Sequence, residues 1–120
     1  MSKKTLIVGA SPNPARFAFQ AALDLIAQQH EIVLLGVREG TIAGHPILPG
    51  QPEVRGVHTI SLYINPLHQP AWYDYLLALQ PQRLIFNPGT ENPELAQKAA
   101  AQKIEVRYAC TLVMLAQGHY

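Results

Sequence analysis

Two runs of apolar residues, rich in side chains branched at Cβ, dominate the first third of the chain: residues 5–9 and residues 32–37. Neither run alternates with polar positions. Each therefore offers apolar side chains to both sides of a sheet, as a strand covered on both faces does. Between them, Phe17, Ala21 and Leu25, and beside these Ala18, Ala22 and Ile26, recur every four positions and mark one face of a helix. Asn13-Pro14 supplies a start for that helix. The Asn oxygen can cap free amides, and Pro at the first helical position has its φ preset and lacks an N–H that would go unpaired. Strand, helix and strand in this order predict a right-handed βαβ unit with parallel strands.

The remainder repeats the theme after an interruption. Residues 39–56 contain Gly40, Gly44, Gly50 and Gly56 with Pro46, Pro49 and Pro52, and read as a long loop with room for a short edge strand or a turn of helix. A strand is expected over 59–64. A helix beginning near Pro70 then carries Trp72, Leu76 and Leu79 on one face, and another strand covers 84–87. Asn92-Pro93 is a second helix start, ahead of Leu95, Ala96, Ala99 and Ala100. Residues 104–108 alternate apolar with charged, as an edge strand would, and 111–116 suit a short helix. The prediction is an α/β sandwich, one domain over residues 1–120, around a mostly parallel five-stranded sheet.

Composition limits the partners. Hydrophobic residues make up 48% and charged residues 14%, which supports a packed core. Nine Lys and Arg against eight Asp and Glu give a net charge of +1 with no basic run, so neither nucleic acid nor an anionic membrane is an expected partner. No stretch approaches the ~20 apolar residues of a membrane span, and the first apolar run is too short for a signal peptide. The lone Cys110 excludes an internal disulfide and suits a reducing compartment. A cytoplasmic location is expected.

In sheets of this kind ligands bind beyond the carboxyl ends of the strands. Here those ends are Gly9-Ala10-Ser11, Val37-Arg38, Asn65-Pro66, Asn87-Pro88-Gly89 and Ala109-Cys110-Thr111. A helix start after the first strand is a natural phosphate seat. Arg16 in its first turn opposes the helix dipole unless an anion is bound there. The alternatives are that Arg16 is solvated, or paired with Asp24 or Glu39. The dinucleotide fingerprint G-x-G-x-x-G is met only at its first glycine: Ser11 and Pro14 replace the others, and Ser11 brings a hydroxyl that can donate to phosphate. The second strand ends in Arg38 rather than an acid. That suits a ligand with an extra ribose phosphate, as in NADP or coenzyme A, unless Arg38 simply pairs with Glu39.

The order Gly9-Ala10-Ser11-Pro12-Asn13-Pro14-Ala15-Arg16, then Gly40-Thr41-Ile42-Ala43-Gly44-His45-Pro46, Asn65-Pro66, Asn87-Pro88-Gly89-Thr90-Glu91-Asn92-Pro93 and Cys110 resembles the small CoA-binding proteins. These are similar to the N-terminal, Rossmann-like domain of the succinyl-CoA synthetase alpha subunit. The resemblance spans essentially the whole chain and implies a Rossmann-like three-layer sandwich that binds coenzyme A or an acyl-CoA. It implies that Gly9, Ser11 and Arg16 hold phosphates and that Val37 and Arg38 flank the adenosine. Asn65, Pro66, Pro88 and Gly89 would line the path of pyrophosphate and pantetheine. Two departures stand out. The synthetase's second domain, with its phosphorylated histidine, has no counterpart here, and the family's Cys-Pro-Lys is replaced by Cys110-Thr111-Leu112.

The remaining candidates carry less. Cys110 reads as a small buried residue, with a nucleophilic or disulfide-exchanging thiol as the alternative. His30, His45, His58, His68 and His119 show no metal-ligand spacing. Glu91 reads as a partner of the next helix start rather than a general base. No catalytic residue is assigned. A CoA-binding module is the leading expectation; an NADP-dependent oxidoreductase and a ligand-free scaffold or redox regulator are the competing ones. Apolar residues on the edge strand or around Trp72 leave room for a homodimer.

Overall fold

The computed structural model describes residues 2–120. Seven strands form one sheet: β1 (Thr5–Val8), β2 (Ile32–Leu35), β3 (Thr41–Ile42), β4 (His45–Leu48), β5 (Thr59–Leu62), β6 (Arg83–Phe86) and β7 (Glu105–Tyr108). Their spatial order is β3-β4-β2-β1-β5-β6-β7, and every pairing is parallel except β3 with β4. The α/β class with a mostly parallel sheet is as expected. The strand count is not: the loop over 39–56 contains the β3–β4 hairpin, which turns at Ala43-Gly44 with both residues at positive φ. β4 then runs parallel beside β2, Leu34 opposite Ile47.

Four helices cover the sheet: α1 (Phe17–Ala27), α2 (Tyr73–Ala78), α3 (Pro93–Ala101) and α4 (Thr111–Ala116). Alternation along each strand divides the core in two. Ile7, Leu34 and Ile85 pack with Ala18, Ala21, Leu25, Met114 and Leu115 of α1 and α4. Leu6, Val8, Leu35, Ile60, Leu62, Leu84 and Phe86 pack with Leu76 of α2 and with Leu95 and Ala99 of α3. Burying large aliphatic side chains on both faces contributes about 1.5–3 kcal/mol each, which is why these strands read as unbroken apolar runs. No described helix is long and apolar enough to cross a membrane.

Two helix boundaries differ from expectation. The segment near Pro70 is two 3₁₀ turns, Pro66–His68 and Pro70–Trp72, leading into α2. α1 begins at Phe17 rather than at Pro14, because the Asn13 side chain accepts from the Ala15 N–H at 3.0 Å and spends itself on a local turn.

Candidate functional site

Register fixes where the candidate residues converge. Val8 lies opposite Leu35 and Leu62, Leu62 opposite Phe86, and Phe86 opposite Tyr108. The carboxyl ends of five parallel strands therefore form one row, spaced about 4.8 Å from strand to strand. The segments that follow, containing Gly9 to Arg16, Val37 and Arg38, Asn65 and Pro66, and Pro88 and Gly89, all leave the sheet on that side. The strand order reverses between β1 and β5, since β2 and β4 lie to one side of β1 and β5, β6 and β7 to the other. In sheets of this type such a reversal is where ligands bind.

The first turn is built by close backbone approach. The Gly9 and Ala10 N–H groups both donate to Leu35 O, at 2.9 and 2.8 Å. Gly9 has φ +98°, and a Cβ there would lie 2.9 Å from the Tyr63 carbonyl carbon; a Cβ on Gly36 would lie 2.2 Å from Ala10 O. These two glycines let the ends of β1, β2 and β5 crowd together. Ser11 Oγ accepts from the Asn13 N–H at 3.1 Å and Arg16 N–H donates to Asn13 O, so the turn holds itself. What it leaves over are the amides of Phe17 and Ala18, the first two of α1. Among the described residues neither has an acceptor.

Charge and exposure sharpen the picture. Arg16 is the N-cap of α1, in extended conformation with no side-chain cap, and the first turn holds no acid. Neither Arg16 nor Arg38 makes an ion pair or side-chain hydrogen bond among the described residues. Asp24, one suggested partner, accepts from Gln20 instead. Phe17, Val37 and Leu67, on segments that follow β1, β2 and β5, are exposed, Val37 fully. A cationic helix start beside exposed apolar side chains matches the needs of a ligand with both phosphate and apolar parts.

On the β5 and β6 side of the reversal, a buried polar network holds the segments after these two strands. Gln69, fully buried, donates through Nε2 to Ile64 O and Thr90 O. Asn92 Nδ2 donates to Gln69 Oε1 and Tyr73 Oη. Asn87 donates to Ser61 Oγ and Leu62 O and accepts from the Thr111 N–H. These bonds place Asn65-Pro66 and Pro88-Gly89, which stay at the surface, Gly89 facing open space. Glu91 does not serve the next helix start. Its carboxylate turns back and accepts from the Gly89 N–H at 2.9 Å, since Asn92 already caps α3.

Sequence reading missed Gln69, Asn92 and Tyr73 as a connected set, because they touch only when the two loops meet. It also missed Tyr63. That phenol is buried without a hydrogen-bond partner, and burial pushes its pKa up to about 12. Ser61 and Thr111 lie near enough to offset part of that rise, but they are bonded to one another at 2.9 Å. Cys110 is half-buried and precedes α4 as its N-cap. It brings no base with it.

A family model described as a CoA binding domain matches residues 3–116. Among solved structures, the chain is similar to a crystal structure of an uncharacterized protein, with 45% identity, a TM-score of 0.97 and coverage of 100% of this chain and 99% of that one. A Thermus thermophilus protein has a TM-score of 0.85 at 17% identity, covering 99% of this chain and 91% of its own. A hypothetical protein from Pyrococcus horikoshii has a TM-score of 0.85 at 20% identity, covering 97% and 83%. The last two likenesses establish the fold alone. No curated protein matches the sequence.

Proposed function

The chain belongs to the CoA binding domain family, and on that premise we propose that it binds coenzyme A or an acyl-CoA at the carboxyl row of its sheet, as a binding module without a reaction of its own. The supporting observation is the start of α1: an arginine at the N-cap, two amides without acceptors and no acid in the first turn. An isolated cation there is unfavourable by about 0.3–1 kcal/mol. A phosphate converging on Arg16, Ser11 and the free amides reverses that sign and makes charge-assisted hydrogen bonds. In this reading Gly9 brings the turn close to the reversal in strand order, Arg38 meets the extra ribose phosphate and Val37 covers the adenosine. Asn65, Pro66, Pro88 and Gly89 line the way for the pyrophosphate and the pantetheine arm.

Calorimetric titration with CoA, dephospho-CoA and NADP tests this directly. CoA is expected to bind at least tenfold more tightly than dephospho-CoA. Equal affinities would remove the role given to Arg38, NADP binding above CoA would favour a nicotinamide enzyme, and no binding of any of the three would overturn the reading.

A further inference from the structure

The two edges of the sheet are finished differently. At one edge β3 is only two residues long, and its neighbour β4 contains Pro46. A short strand and a proline are ordinary ways to stop an edge from pairing with another chain. At the other edge β7 carries four residues and no proline. Its ladder to β6 shows which groups are in use. The Glu105 N–H donates to Gln82 O at 3.0 Å and the Ala109 N–H to Phe86 O at 3.2 Å. Odd-numbered residues of β7 therefore turn their backbone groups inward, and Val106 and Tyr108 turn theirs away from the sheet.

We propose that this edge pairs with β7 of a second copy of the chain, antiparallel about a two-fold axis through Val106. The charges choose the register. Outward groups must face outward groups, which leaves three central alignments. One sets Glu105 against Glu105 of the second copy, and another sets Arg107 against Arg107. The third, centred on Val106, sets each Glu105 against an Arg107. In that alignment the 105/107 pairs are the non-hydrogen-bonded ones, where side chains lie closest, and opposite charges there are favourable while like charges are not. The Glu105–Arg107 ion pair already present within one strand, at 2.7 Å, would join its copy in a ring of alternating charge. Val106 would exchange both backbone bonds with its symmetry mate. Tyr108, on the edge strand itself and about half exposed, supplies apolar surface to cover.

Sedimentation equilibrium of the whole protein, compared across charge variants, tests the pairing. The wild type is expected at twice the 13.2 kDa protomer mass. Glu105→Arg and Arg107→Glu should each be monomeric, and an equimolar mixture of the two should regain the dimer mass, because every facing pair is then opposite in charge. Val106→Pro should be monomeric with its thermal melt retained, since the N–H it removes has no partner within the protomer. A wild type that stays monomeric, a dimer indifferent to the single charge changes, or a mixture that fails to reassociate would overturn the proposal. CoA titration does not depend on any of these outcomes.

Discussion

Two helices of this protein are preceded by the same dipeptide, Asn-Pro, but only one of them starts on it. At α3 the Asn92 side-chain Oδ1 accepts from the amides of Glu94 and Leu95, Pro93 takes the first helical position, Glu94 faces the positive end of the dipole and Lys98 the negative end. At α1 the Asn13 oxygen is spent on Ala15, the helix starts at Phe17, and Arg16 stands at the N-cap with no acid in the first turn. The difference lies in what holds the asparagine. The Asn92 amide nitrogen is fixed by Gln69 and Tyr73 in a buried network, which aims its oxygen at the helix. Asn13 is exposed and bends to its own backbone. One helix start is completed by the protein; the other is left incomplete, with an exposed positive charge and two backbone donors without acceptors.

Substitutions at the two starts should separate stability from binding. Asn92→Ala removes the cap and leaves the buried Gln69 oxygen without its donor, so it is expected to cost about 3 kcal/mol of stability, read as a lower urea midpoint. Arg16→Ala should leave that midpoint within about 0.5 kcal/mol of wild type but weaken CoA by about 1–3 kcal/mol, measured by calorimetry. An unchanged affinity would remove the phosphate from the start of α1. Saturating CoA, at about a hundredfold over its Kd, should stabilise wild type by about 2.7 kcal/mol in thermal melts, and the same CoA concentration should give a smaller shift with Arg16→Ala. The smallest effect has the opposite sign. Arg16→Asp supplies the missing cap and a favourable charge, and is expected to gain about 0.5–1 kcal/mol of stability without ligand while abolishing CoA binding. A loss of stability in that variant would show that α1 gains nothing from a conventional N-cap.

Amide hydrogen exchange offers a finer comparison. The free Phe17 and Ala18 amides should exchange readily without ligand and slow when CoA is added, while the amides of Glu94 and Leu95, already bonded to Asn92, should stay protected throughout. Equal protection of both helix starts before ligand is added would erase the distinction.

Much of this was legible from residue order. The apolar runs located β1, β2, β5 and β6 to within a residue or two, and the alternation at 104–108 identified β7 as an edge, because strands buried on two faces differ in pattern from one buried on fewer. The β3–β4 hairpin was hidden. Its turn places Ala43 at positive φ, which alanine does not advertise, and Ile42 and Ile47 become core residues only because β2 lies alongside. Arg83 was hidden too. It is buried at the amino end of β6, where its guanidinium donates to Thr59 Oγ1 and to the Tyr120 main-chain oxygen and sits 4.4 Å from the Tyr120 ring. Nothing near Arg83 in the sequence announces partners 24 and 37 residues away.

Residue order by itself determined that strands would be parallel and covered, that their carboxyl ends would gather Gly9, Arg16, Arg38, Asn65 and Gly89, and that a family resemblance would run through those positions. Hydrophobic patterning is local in sequence, and local patterns suffice to set the sandwich. Only the tertiary structure decided which polar groups are spent and which are free: that Asn13 folds back while Asn92 caps, that Gln69 ties two loops together, and that Val106 turns its backbone outward. Hydrogen bonds saturate, so the fate of each donor depends on whichever acceptor the fold brings within 3 Å, and that is a property of contacts distant in the chain.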